Sequence, residues 1–555
     1  MAKQQLSLGR LVALLCLIAS CALLHGCVRF GEFAKRRADR AAYAIIEEAQ
    51  LRALGQAGEI SIDEECDELT SGVLAAAGRL DWQSDSFTSP SHLISLSDAL
   101  ALAVRNNRDY RTRKESLFNQ ALGLTETRRN HSYTYSASGN LSHTRVESGH
   151  DTLAGQQVER FGSRGLAAGI NKLFASGARF STNFSHSYLR NFTTNTEGAS
   201  NGLAVSVVQP LLRGAGSLVA REPLRQAERS MVYAVRDFRR YQQQFVIDAS
   251  STYYQLLSAQ DQVRNARRNL DVATGDWAKV RRLSEGGKRT AIEVDQARQR
   301  VLEAEASWIN AQSSYLSRLD SLKRFLGLPI ELDIGPDAAE LERIFERGLL
   351  RPDMELTEAL EAARANRLDL LTTRERVADS ERQLQIALRD FLPGLSFSYD
   401  FSTSRESEKD RFNTNFRDHT QTRALSLELP LDWTPRRNNY RRALIALTQA
   451  NRSLELAEED LTIEVREAWR ELERVRRNYE VQLESARLAE KRVRRASLML
   501  ESGRAQTRDL LDAQDDLLAG RNAVTSALVD HTLQRLRFWQ SIERLEIDAE
   551  GMWHE

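Results

Sequence analysis

Proline is scarce in this chain: there are nine in 555 residues, and none between Pro223 and Pro329. Nothing therefore forces the backbone out of helix for about a hundred residues. Cysteine is rarer still, four in all, too few for a disulfide framework. Charge of one sign is also lacking. The 77 basic side chains are matched by 77 acidic ones, so no field invites nucleic acid, and the arginine-rich helix faces read as solvated, salt-bridged surface. Signs of chemistry are missing as well. No nucleophile-base pair or facing carboxylates mark an enzyme. A phosphate loop ending at Gly287 and Lys288 fails because Arg282 and Arg289 stand where glycine and a hydroxyl are required. His131, His143, His150 and His186 have no metal-ligand spacing and fit better as polar strand residues. Neither an enzyme nor a cofactor is expected.

One apolar run is present, Leu11 to Leu24, preceded by Lys3 and Arg10. It is too short to span a bilayer as a mature helix but suits a secretory signal. Its end, Leu24-His25-Gly26-Cys27, resembles the lipobox of bacterial lipoproteins, whose cysteine becomes the acylated N-terminus. Ile18-Ala19-Ser20-Cys21 fits that pattern more closely but leaves a short apolar core, and the polar sequence begins directly after Cys27. Lipidation is therefore expected at Cys27, with residues 1–26 as signal. Were Cys21 the acylated residue, Cys27 and Cys66 could pair in an oxidising compartment. Val28, where aspartate marks inner-membrane retention in such lipoproteins, implies the outer membrane.

The proline-free stretch is strongly periodic. Leu224, Met231, Phe238 and Phe245 lie seven apart, with Ala227, Ala234 and Tyr241 as their partners, the seam of a coiled coil. The register jumps to Leu256 and resumes at Val263, Leu270 and Trp277, a stutter that straightens the supercoil. After Gly286 and Gly287 the spacing returns in Val294, Val301, Trp308, Tyr315 and Leu322. This spacing predicts two long antiparallel helices, the first spanning roughly 90 Å.

The pattern occurs twice. At a shift of 216, Gly287 falls on Gly503, Val294 on Leu510, Ala297 on Ala513, Ala304 on Gly520 and Leu322 on Phe538. Helix starts at Ser97-Asp98-Ala99-Leu100 and Thr357-Glu358-Ala359-Leu360 repeat at a shift of 260, each hydroxyl residue read as an N-terminal cap. Between start and hairpin, each half alternates apolar and polar residues as strands do: Tyr133 to Leu141 and Leu203 to Val207 in the first, Leu395 to Phe401 and Leu425 to Leu431 in the second. The first half holds about forty extra residues by direct comparison of the two shifts. Its Phe180 to Tyr188 alternation predicts an additional hairpin or an extended surface loop.

This ordered set, with Gln209 to Gly214 and the two tips Gly287 to Ala297 and Gly503 to Ala513, resembles the outer-membrane efflux protein family, the TolC-like channel-tunnels. The fold class implied is mainly α with a β-barrel part: long antiparallel coiled-coil hairpins in two internal repeats, each giving strands to a trimeric transmembrane barrel. The expected divisions are a tether at 27–93, repeat 1 at 94–330, a linker at 331–353 and repeat 2 at 354–555. The resemblance implies four strands per chain, a homotrimer held in outer-membrane lipid, and passive conduction. The expected partners are a periplasmic adaptor and an inner-membrane transporter.

It also implies a periplasmic gate. Asp509 and Asp512 match two aspartate rings of the family's constriction and lie on one helix face; the plainer reading is acids at a helix start, favoured by the dipole. The family's tyrosine and arginine latch positions are here Leu500 and Ala505, and Arg508 or Arg504 paired with Glu293 is the expected substitute. Adaptor contact is expected at Gly286, Gly287, Thr290, Ser502, Gly503 and Thr507. The rival reading is a structural periplasmic coiled-coil lipoprotein whose strands form a small soluble sheet.

Overall fold

A computed structural model describes residues 31–58, 60–62, 68–76, 92–148, 157–287, 289–407, 418–502, 504–548 and 551–554. Cys27, Cys66 and Gly503 lie outside the described residues. The elements are helix α1 (31–54), α2 (Glu68–Ala76), strand β1 (His92–Ile94), α3 (Leu96–Asn106), α4 (Arg108–Asn130), β2 (Thr134–Ser148), β3 (Gln157–Leu173), β4 (Arg179–Asn191), β5 (Thr196–Pro210), α5 (Ser217–Ala220), α6 (Glu222–Glu285) and α7 (Ala291–Phe325). They continue with β6 (Ile334–Pro336), α8 (Ala339–Arg347), α9 (Leu356–Asn366), α10 (Leu368–Arg389), β7 (Gly394–Ser407), β8 (His419–Glu428), α11 (Thr434–Glu501), α12 (Thr507–Ser541), β9 (Glu546–Ile547) and β10 (Trp553–His554). Among the described residues no helix is long and apolar enough to cross a membrane.

The chain forms two compact units. The first takes in the described parts of Met1–Ala57, Leu117–Val235 and Thr373–Ser453. Its centre is one antiparallel sheet in the order β2-β3-β4-β5-β7-β8. Six strands replace the four that the resemblance implied, because the forty-residue surplus is the hairpin β3-β4 in register with its neighbours. Gly177 closes that hairpin at φ +87°, and a Cβ there would lie 2.6 Å from the Gly214 carbonyl, so only glycine fits. The Gln209 to Gly214 motif ties the sheet together: Gln209 accepts from the Ser176 hydroxyl at 2.9 Å, and Arg213 pairs with Glu428 at 2.6 Å.

Where α6 and α10 run beside each other in this unit, Asp379 is 7% exposed and collects donors from both helices. Tyr233 Oη donates to it at 2.7 Å, Arg382 at 2.7 Å, and Arg229 Nε lies at 2.5 Å. Burial, together with the Asp379 bond, pushes the Tyr233 hydroxyl up to about 12.

The second unit comprises the described parts of Gly58–Ser116, Arg236–Thr372 and Leu454–Glu555. Of the heptad positions of α6, Phe238, Phe245, Leu256, Ala259, Ala266, Ala273 and Val280 are buried, whereas Val263, Leu270 and Trp277 are half-buried. At the stutter the helix is covered on several sides, with Val246, Ile247, Tyr253 and Tyr254 buried as well. There β1 pairs in parallel with β6, and Tyr253 Oη donates to the Ile94 carbonyl at 2.9 Å. The stutter thus marks where α6 stops being half of a rope and becomes the centre of a globular layer. Residues read as tether and linker supply that strand pair.

Both repeat openings are capped two residues earlier than the sequence reading placed them. Ser95 accepts from the Asp98 amide at 3.2 Å, and Glu355 forms a box with Glu358. A cap needs its acid three residues on, and Asp98 and Glu358 hold that position relative to Ser95 and Glu355, not Ser97 and Thr357.

His531 of α12 is 2% exposed, and burial, followed by Arg535 and Arg476, pushes its imidazole down to about 4. The unfolded chain takes up this proton near pH 6.5 while the folded chain refuses it until about pH 4, so stability falls across that window as pH drops. The helical melting temperature of the wild type is expected to fall several degrees further than that of His531→Gln between about pH 7 and about pH 5. Parallel curves on thermal circular dichroism would show that His531 carries no such linkage.

Candidate functional site: the paired hairpin tips

Each long hairpin turns through a few residues, and the same local chemistry starts both return helices. At the first turn Gly287 adopts φ +72°. Thr290 then caps α7, its hydroxyl accepting from the Glu293 amide at 3.3 Å while the Glu293 carboxylate accepts from the Thr290 amide at 2.9 Å. At the second, Gln506 caps α12 and the Asp509 carboxylate accepts from the Gln506 amide at 3.0 Å. Glu293 and Asp509 are thus the same residue of the repeat, 216 apart. Each is the third residue of its helix and satisfies an amide that would otherwise lack a partner.

Arg289 joins the two turns. Its guanidinium pairs with Glu293 at 2.8 Å and also donates to the Leu500 carbonyl at 3.0 Å, at the end of α11. That carbonyl lies in the last turn of α11, the negative end of its dipole, which favours a cation. Thr507 donates to Glu293 at 3.4 Å. The Thr290 amide first, and then the Arg289 guanidinium, hold the Glu293 carboxyl below its ordinary range. Its contribution to the tip is therefore present above that range and fades as pH falls into the folded-state value.

The expected partner of Glu293 was Arg508 or Arg504. Within one chain Glu293 is occupied by Arg289 instead, and Arg508 leans toward Asp512 at 3.9 Å with both side chains more than half exposed. Asp512 does no capping work. It sits one turn beyond Asp509 on the exposed side of α12, while the next acids in the helix are engaged: Asp515 with Arg300, Asp516 with Arg492. Of the residues expected to meet an adaptor, Gly286, Gly287, Thr290 and Ser502 are exposed. Thr507 is not, at 3% exposure, because its hydroxyl turns back to Glu293.

Behind the tips the seam between α6 and α12 carries polar rungs: Gln514 donates to Asp276 at 2.6 Å, Thr525 to Asp261 at 2.8 Å, and Asn265 to Asn522 at 2.9 Å. Sequence reading missed these and Arg289 alike. The heptad pattern flags apolar positions only, and a partner that is a backbone carbonyl leaves no trace in residue types.

A strand sheet interrupted by two repeated long hairpins, with tips built alike, is the arrangement that the comparison with known proteins recognises. The sequence profile of the family described as outer membrane efflux protein matches residues 175–328 and 359–545. The chain belongs to this family. Among curated proteins it is 25% identical over 319 residues to the alkaline protease secretion protein AprF of Pseudomonas aeruginosa, covering 55% of this chain. The aligned stretch spans 63% of that relative's length. Among solved structures the fold is shared with CusC (TM-score 0.59, 15% identity, 84% of this chain and 99% of that one). It is also shared with the CmeC outer membrane channel of Campylobacter jejuni (TM-score 0.58, 14% identity, 87% and 94%). The open MtrE outer membrane channel of Neisseria gonorrhoeae matches with TM-score 0.59 and 16% identity over 80% and 88%. Family membership places the chain among outer-membrane transport proteins rather than enzymes.

Proposed function

We propose that this protein is a homotrimeric outer-membrane duct, anchored additionally by lipid at Cys27, that passively conducts cargo handed over by a periplasmic adaptor and an inner-membrane transporter. The observation that carries this reading is the six-stranded sheet, which leaves large apolar side chains of its edge strands exposed. Tyr135 is 67% exposed and Leu425 66% exposed, on opposite edge strands of a sheet with an open edge at each side. In water such side chains and such edges are costly; closed with other copies in lipid, both are satisfied. A soluble structural lipoprotein would need a second layer over these side chains. AprF is by name a secretion protein and CmeC by name an outer membrane channel, which supports a secretion or efflux role.

In this duct the hairpin tips are the gate and the adaptor-facing surface. Arg289 holds the two tips of one chain together, Asp512 and Asp509 give the aperture its charge, and a contact from Arg508 to Glu293 would be made between copies. Gly286, Gly287, Thr290 and Ser502 offer the backbone-accessible edge for the adaptor. Three copies concentrate carboxylates in one aperture and favour cations. Asp512→Asn is expected to lower the cation-to-anion permeability ratio several-fold, whereas Asp509→Asn, which keeps an acceptor oxygen for the Gln506 amide, loses one charge per chain and leaves the helix start in place. Reversal potentials under a salt gradient measure both. An unchanged ratio in the pair of variants would remove the aspartates from the gate.

A further inference from the structure

The β3-β4 hairpin is the part of the sheet with no counterpart in the second repeat. Its register decides what it is. Tyr135, Ile170, Thr182, Val205 and Phe401 face one another across five successive strands, and the adjacent row is Ser136, Gly169, Asn183, Ala204 and Ser402. The first row is apolar except for Thr182 on β4 and, in the sixth strand, Gln421; the second is small and polar throughout. Side chains one residue apart point to opposite faces of a sheet. Over its central rows the hairpin therefore follows the division of the strands that flank it, with Ile170, Ala168 and Phe184 on the apolar side; toward the ends of β3 and β4 that side also carries Lys172, Arg164 and His186.

Parity supports the same conclusion. A hairpin adds two strands, so β2 and β8, the two ends of the sheet, still run in opposite directions. Strand β8 of one copy then meets β2 of the next in the antiparallel sense that an outer-membrane barrel uses. One extra strand would have forced a parallel seam.

Resting on the duct reading above, we propose that all six strands of each chain stand in the membrane wall, so that three copies close a barrel of eighteen strands. With strands about 4.8 Å apart and tilted about 40°, the wall has a backbone diameter of about 36 Å, against about 24 Å for four strands per chain. After side chains the lumen admits a polar polymer thicker than one α-helix, itself about 10 Å across. In the middle of the hairpin its inner face is Ser163, Gly165, Ala167, Gly169, Asn183 and Ser185, with little to hold such cargo in transit. The segment that widens the exit is β3-β4.

The test uses full-length protein in lipid vesicles, in a background with Cys66→Ser, carrying a nitroxide on single introduced cysteines. Collision with oxygen reports lipid, and collision with a water-soluble nickel chelate reports water; the parent's signal is subtracted. Phe184→Cys on β4 and Leu425→Cys on β8 are expected to favour oxygen, and Ser185→Cys the chelate, the oxygen-to-chelate ratio changing on the order of tenfold between residues 184 and 185. If residue 425 sees lipid while 184 and 185 both see chelate, the hairpin lies outside the wall; the inference falls and the duct stands. If residue 425 itself sees chelate, the sheet is not in the membrane and both readings fall. Deleting residues 157–191 joins β2 to β5 through their own loops, and end-on electron micrographs are then expected to show the wall shrinking to about two-thirds of its diameter. An unchanged diameter would contradict an eighteen-strand barrel.

Discussion

Replacing Arg289 by alanine is expected to raise the ratio of open to closed channels by roughly ten- to a hundredfold. Arg289 is the side chain that reaches from the start of α7 to the Leu500 carbonyl at the end of α11. Its guanidinium is largely shielded by the two turns, so this charge-assisted bond is not diluted as an exposed pair would be. A hydrogen bond to a charged group contributes about 1.5–3 kcal/mol, which corresponds to that range of equilibrium constants. The caps at Thr290 and Gln506 remain, so each helix should start normally; the Arg289 link between the tips is lost, and the longer Thr507 bond to Glu293 stays. Glu293→Ala is a poorer probe, because it removes a cap as well. Open probability in planar bilayers measures the effect. A well-folded Arg289→Ala trimer with wild-type gating would locate closure in contacts between copies instead.

Asp379→Ala is expected to destabilise the protein by about 3–5 kcal/mol, the usual result of removing one member of a buried ionic cluster. Arg229, Tyr233 and Arg382 would all lose their shared acceptor. Arg382 retains Glu222 at 3.4 Å, and Arg229 retains Glu375 at 3.5 Å, neither as close as Asp379. Asp379→Asn keeps one acceptor oxygen and should lose less, and Tyr233→Phe, which deletes a single bond, about 1 kcal/mol. Denaturation followed by helical circular dichroism ranks the three. Equal losses would show that the site is held by packing and not by the carboxylate.

The parts of the molecule that were legible in the sequence are those in which one residue type repeats at a fixed interval. Met231, Phe238 and Phe245 announce the hairpin seam because every seventh residue must be apolar. The shift of 216 finds both tips because Gly287, Val294 and Ala297 recur in kind as Gly503, Leu510 and Ala513. Strands β7 and β8 alternate in large residues and were readable, but β3 carries Gly162, Gly165, Ala167, Ala168 and Gly169, whose small side chains blur any alternation. The pairing of His92–Ile94 with Ile334–Pro336 is three residues long, too short for a period to show. The Asp379 cluster and the Arg289 link are joined only in space, between residues 146 and 211 positions apart. Periodicity has no access to such pairs. The Glu293 partner within the chain, Arg289, is by contrast only four residues away, a spacing that local reading reaches.

The measurement that bears most directly on the duct is single-channel recording of the purified full-length protein in a planar bilayer, with wild type and Arg289→Ala side by side. Discrete, cation-selective openings, rare in the wild type and frequent in the variant, are the predicted result. A folded, membrane-inserted trimer that stays silent in both forms would contradict a conducting role.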